Sequence, residues 1–135
     1  MFSKKKQPPI KSLIAQGTRV DGNVLFEDGL RVDGEVVGDI RVDSGATSML
    51  VVSELAKVSG SIQAGHVIIN GLVQGPVTAT ELLELHPKAR VEGDVSYKAL
   101  EMHQGATISG QLRPMSGGAA GEEDKPTLKL AANNG

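Results

Sequence analysis

One five-residue phrase, apolar–any–Gly–any–apolar, returns six times along the chain. It reads Val20-Gly22-Val24, Val36-Gly38-Ile40, Val58-Gly60-Ile62, Val73-Gly75-Val77, Val91-Gly93-Val95 and Ile108-Gly110-Leu112. The glycines stand 16, 22, 15, 18 and 17 residues apart, a mean of 17.6. A second apolar ladder runs between them, through Leu30 and Val32, Leu50 and Val52, Val67 and Ile69, Leu83 and Leu85, and Leu100 and Met102. Its last three steps are 17, 16 and 17 residues. Two ladders sharing one long period require a repeated structural unit, because a single folded globule gives no reason for such spacing.

Within each unit the period is two. "TRVDGNV", "LRVDGEV", "AKVSGSI", "VIINGLV", "ARVEGDV" and "ATISGQL" alternate apolar and polar residues, the pattern of a half-buried strand. Glycine and β-branched residues crowd the core and disfavour helix; only "SELAKV" at 53–58 is locally ambiguous. Short strands on a repeat of about 17 residues describe a β-solenoid. Each coil is expected to hold three short strands joined by tight corners, with like positions stacked at a strand spacing of about 4.8 Å. One coil cannot bury its own inward face, so stacking supplies the core. The glycines then mark corners or close backbone approaches, and neighbours such as Asp33, Asp39 and Asp94 face water. A β-sandwich with Gly-rich turns explains the alternation but not the period.

Composition agrees with a thin interior: the chain has 14 valines, no Trp, one Tyr and two Phe. Its ends differ from its body. Residues 1–11 hold four lysines, two prolines and no acid, and residues 114–135 are rich in Gly, Ala and charge; both read as tails. The expected organisation is a flexible basic leader at 1–12, a β-helix at 13–113 and a disordered tail at 114–135. Residues 20–113 carry seven basic against thirteen acidic groups, which argues against nucleic acid as the body's partner. The chain has no cysteine, so thiol catalysis, Cys-bound metal and disulfides are excluded. No run approaches the length of a membrane span, and the basic start has no hydrophobic stretch behind it, so it does not read as a signal peptide.

At this point the chain resembles the bactofilins, a bacterial family of polymer-forming cytoskeletal proteins. The resemblance covers residues 13–113. It rests on "GTRVDGNVLFEDGLRVDGEVVGDI" (17–40), "AKVSGSIQAGHVIINGLVQGPVTATELLELHPKARVEGDV" (56–95) and "GATISGQL" (105–112), and "MFSKKK" is similar to the membrane-targeting start of many members. The resemblance implies an all-β, right-handed parallel β-helix of about six coils between disordered tails. It also implies end-to-end assembly without nucleotide into nonpolar filaments. These filaments would form a cytoplasmic scaffold, at the inner face of the membrane, for cell shape, cell-wall enzymes or positioning factors. The hand comes from the resemblance, since the period does not fix it.

The ends of such a solenoid carry open sheet edges, which are sticky unless capped, and no amphipathic capping helix is legible at either end. The candidate polymer-interface residues are Val20, Val24 and Phe26 at one end and Leu100, Met102, Ile108 and Leu112 at the other. The candidate membrane contacts are Met1, Phe2, Lys4, Lys5 and Lys6: the lysines would meet anionic headgroups and the phenylalanine would insert. The acidic cluster Glu122-Glu123-Asp124 and "KPTLKL" are candidate contacts for a client protein.

Catalysis is not expected. Val20, Phe26 and Val32 fall six apart, as in hexapeptide-repeat acyltransferases, but the spacing breaks at Val36. His66, His86 and His103 are 20 and 17 residues apart, near one coil, as in trimeric β-helix metalloenzymes. Their settings after Gly65, before Pro87 and before "QGAT" read instead as solvent-side turns, so no metal is expected. The acids are not paired, and no Gly-rich phosphate loop with a following lysine is present, so no nucleotide or other cofactor is expected. The competing non-enzymatic reading is a β-solenoid binding module that does not polymerise.

Overall fold

The structure is a computed structural model that describes residues 10–43, 47–115 and 129–130. In chain order its strands are β1 (Ile10–Ile14), β2 (Arg19–Asp21), β3 (Val24–Phe26), β4 (Gly29–Val32), β5 (Glu35–Val37), β6 (Ile40–Val42), β7 (Met49–Val52) and β8 (Lys57–Ser59). They continue as β9 (Ile62–Ile69), β10 (Leu72–Gln74), β11 (Val77–Leu85), β12 (Arg90–Glu92), β13 (Val95–Met102), β14 (Thr107–Ser109), β15 (Leu112–Pro114) and β16 (Lys129–Leu130). Every pairing is parallel. The described residues form a β-solenoid of about six coils with no helix among them. β1 starts inside the stretch read as leader, and β16 lies inside the stretch read as tail.

Three faces run the length of the molecule. Face one is the six-stranded sheet β2-β5-β8-β10-β12-β14. Its central register runs Val20, Val36, Val58, Val73, Val91, Ile108. Face two starts at Val24 and passes through Ile40, Ile62, Val77, Val95 and Leu112. The recurring phrase is therefore one corner of the solenoid: the inward valine of face one, a glycine, then the first inward residue of face two. The second ladder is face three, where Leu30, Leu50, Val67, Leu83 and Leu100 are stacked partners.

The glycine corner has a steric cause. Gly38, Gly60, Gly75 and Gly93 have φ between +150° and +156°, a region L side chains rarely adopt. A Cβ on any of them would collide with the carbonyl of the corner glycine one coil earlier, Gly22, Gly38, Gly60 and Gly75 respectively. The glycines are thus stacked backbone on backbone, and each excludes a side chain from the next.

The opposite corner, from face three to face one, is a recurring tight turn. Thr18, Ala56, Ala89 and Ala106 donate their N–H groups to the carbonyls of Ala15, Ser53, His86 and His103, at 3.0, 3.0, 2.9 and 3.2 Å. The ambiguous "SELAKV" is this turn followed by β8. The remaining corner departs from the expectation of three short strands per coil. In the later coils β9, β11 and β13 run from face two into face three as single bent strands, with a register shift between Ala79 and Leu82. The small buried residues Ala64 and Ala79 sit at the bend, where a bulge turns the strand without a loop.

A polar ladder follows the glycine corner. The Asn23 side-chain oxygen accepts the Asp39 N–H at 3.0 Å, an Asp39 carboxylate oxygen accepts the Ser61 N–H at 2.9 Å, and Asp94 accepts the Gln111 N–H at 3.0 Å. Between these, Pro76 occupies the equivalent place and has neither an N–H nor a side-chain acceptor, so the ladder is interrupted there. The Ser61 N–H holds the Asp39 carboxyl below the usual carboxylate range, and the Gln111 N–H, helped by Arg113, does the same for Asp94.

Two outcomes test this architecture. Gly22 has φ +134° but nothing within 4 Å of a Cβ, so Gly22→Ala should cost about 1 kcal/mol or somewhat more, from backbone strain alone. Gly60→Ala adds the collision with Gly38 and should cost at least twice as much in denaturant unfolding; equal losses would contradict the stacked corner. Asp39→Asn keeps an acceptor but removes the charge. A depressed folded-state pKa contributes stability that is present above the unfolded value of about 3.9 and lost as pH falls through the folded one. The variant should therefore be less stable than wild type at neutral pH, and the gap should close on acidification. A gap that is the same in acid would contradict the ladder.

Candidate functional site: the two ends of the solenoid

A stacked interior is closed along its length and open where stacking stops. On face one Val36, Val58 and Val73 are fully buried, whereas Val20 and Ile108, at the two ends of the same column, are only half-buried. On face two Ile40 and Val95 are buried, Val24 is half-buried and Leu112 is 42% exposed. The end residues have the same sequence character as those inside and lack a neighbouring coil.

At the N-terminal end β1, β2 and β3 each pair on one side only among the described residues. Ile14, Val20, Val24 and Phe26 line an open hollow of about 550 Å³. Phe26 is paired with Val42, and it is buried at 6% exposure even in the first coil. A Lys11–Asp28 ion pair of 2.8 Å closes the rim. Ile10, Leu13 and Leu25 of the same coil are exposed.

At the C-terminal end β14 and β15 also pair on one side only, and Leu112 and Met115 are exposed. Face three differs. Glu101 and Met102 of β13 are paired with Lys129 and Leu130 of β16. No helix caps this end among the described residues, but one of its three faces is covered by this two-residue strand, which the sequence reading did not anticipate. The reason it was not legible is length: a two-residue strand is too short to show a period. Of the candidate residues at this end, Ile108 and Leu112 lie on the open faces, Met102 lies under β16, and Leu100 is interior at 7% exposure. Met1, Phe2, Lys4, Lys5, Lys6 and the cluster Glu122-Glu123-Asp124 lie outside the described residues.

Among the described residues the end coils hold five of the six exposed large apolar side chains; the sixth, Leu55, is in the 53–56 turn. Natural sheets normally avoid unpaired edges beside exposed apolar groups, and here the two are concentrated at the ends, which are therefore the candidate contact surfaces.

The histidines are placed partly as expected. His86 and His103 follow β11 and β13 at equivalent corners, with ring centroids 5.0 Å apart. His86 Nε2 lies 3.1 Å from a Glu84 carboxylate oxygen. His66 does not lie in a solvent-side turn: it is within β9, its side chain is 15% exposed, and its buried Nε2 has no hydrogen-bond partner. Gly65 does not mark a turn: its N–H is taken by the buried Ser48 hydroxyl at 2.8 Å, and β9 runs on through the bend. Among the described residues no group of three His, Asp or Glu side chains is arranged to hold a metal ion, and no helix is long and apolar enough to cross a membrane.

The family model for bactofilins, described as polymer-forming and cytoskeletal, matches residues 12–113, nearly the whole solenoid. The chain belongs to the bactofilin family. It is 25% identical over 111 residues to Bactofilin BacO of Myxococcus xanthus (strain DK1622), which covers 82% of this chain and 85% of that protein. It is 24% identical over 101 residues to Bactofilin BacP of the same organism, covering 75% of this chain. The chain spans only 40% of the length of BacP. No solved structure matches. Membership places the chain in a structural, cytoskeletal family rather than a catalytic one.

Proposed function

We propose that the chain self-assembles end to end, without nucleotide, into nonpolar filaments, and has no catalytic role of its own. The observation that carries this reading is the contrast along the inward columns of faces one and two: buried in the body and half-buried or exposed at both ends. A second copy seated on either end would bury those residues and pair the open strand edges, extending the same core across the joint. Burying an apolar side chain of this size contributes roughly 1.5–3 kcal/mol, and several are available at each end. Family membership, with its polymer-forming description, supports the same conclusion.

The filament would serve as a scaffold at the cytoplasmic face of the inner membrane for cell-wall enzymes or positioning factors. The basic leader supports this part: Lys4, Lys5 and Lys6 beside Phe2 suit an anionic lipid surface, each lysine contributing about 1 kcal/mol at most. One leader holds weakly, whereas a filament presents many in a row, so avidity makes the attachment firm.

Electron microscopy of purified, nucleotide-free protein should show filaments, and Ile108→Asp should give small folded species with an unchanged β-type circular dichroism spectrum. Discrete particles for wild type across salt and pH would favour a binding module that does not polymerise. For the membrane, full-length protein should pellet with vesicles containing anionic lipid, less so at high salt. A chain beginning at Ile10, which keeps all of β1, should polymerise but fail to pellet. Equal pelleting by both would remove the leader from the mechanism.

A further inference from the structure

Lys129 and Leu130 lie in parallel register on the outer edge of β13, beside Glu101 and Met102. That is the place the face-three strand of a further coil would take. In the body this column runs Ile14, Val32, Val52, Ile69, Leu85, Met102 in steps of 16 to 20 residues, and the step to Leu130 is 28. The strand therefore does not continue the repeat. Among the described residues the other two faces of the last coil carry no such strand, since β14 pairs only with β12 and β15 only with β13.

We propose that Lys129–Leu130 caps the C-terminal end within a single subunit, occupying the strand-accepting edge that a second copy of this chain takes on joining there. The inference rests on the end-to-end assembly proposed above. A strand laid on one face raises it by one strand spacing, about 4.8 Å, above the other two. A flat partner end cannot then meet all three faces at once, so Ile108 and Leu112 stay uncovered while the cap is in place. With only two paired residues the cap is readily displaced. The apparent affinity of the end falls in proportion to the fraction of time it is uncapped, so the cap sets the concentration at which this joint forms.

The chain has no cysteine, which permits a reversible lock. Paired strand positions about 4.8 Å apart lie within the Cα separation of about 4.4–6.8 Å that a disulfide spans, so Met102→Cys with Leu130→Cys should crosslink on oxidation. The oxidised protein should remain as small species, no larger than dimers joined at the N-terminal ends, and reductant should restore filaments in a pelleting assay. Replacing Lys129 and Leu130 together with proline removes both strand N–H groups and should lower the concentration needed for assembly by about threefold or more. Failure of the cysteines to crosslink, or equal assembly by oxidised and reduced protein, would overturn the cap. If wild-type, reduced and proline-bearing proteins all stay as single subunits, the assembly reading itself fails and the cap with it.

Discussion

Parallel strand stacking, one coil on the next, is the interaction on which this molecule depends. A strand edge has N–H and C=O groups that must find partners, and here each coil supplies them for its neighbour. The glycine corner makes this possible. A side chain at Gly38, Gly60, Gly75 or Gly93 would strike the backbone of the coil before it and hold the layers apart. With the corners closed, the interior is thin enough for valine, isoleucine and leucine to fill it, so aromatic residues are scarcely needed. The same constraint creates the ends. Stacking has no internal stop, so a stack of about six coils finishes with the same apolar columns that it has in its middle, now beside unpaired edges. The proposed function follows from the layer rule: an end is a place for another end.

The polar edge of the corner reinforces the stacking from outside. Asn23, Asp39 and Asp94 each accept a backbone N–H from the following coil, so a surface carboxylate takes part in layer-to-layer bonding. Elsewhere the outer faces pair side chains between coils, as in the Ser59, Gln74 and Glu92 series on face one. These exposed contacts are individually weak. They repeat with the coil period, however, and so favour the same register as the core.

The solenoid was legible in the sequence because the inward columns at the glycine corner and on face three repeat residue type as well as position. Val-x-Gly-x-Val marks the face-one to face-two corner, and the leucine-rich pairs mark face three. The column Ala64, Ala79, Tyr97 was not legible, because its members change size where the later strands bend without a turn. The acceptor role of Asp39 was hidden for a different reason: it depends on coil register, and the sequence placed that carboxylate only as facing water. His66 was misread as a turn residue because the glycine before it resembles a corner, and only the Ser48 hydroxyl, distant in sequence, shows that the strand continues. At the candidate site, Val20, Val24, Phe26, Ile108 and Leu112 could be chosen from their place at the ends of the repeat. Lys129–Leu130 could not, since two residues carry no period.

The central claim is that the filament axis and the stacking axis are the same, so that joints between subunits continue the spacing found within them. X-ray fibre diffraction from aligned filaments tests it most directly. The strand spacing of about 4.8 Å should appear as a strong reflection on the meridian, along the fibre. The same reflection on the equator would mean that subunits associate side by side with their coils stacked across the fibre, and would contradict the account.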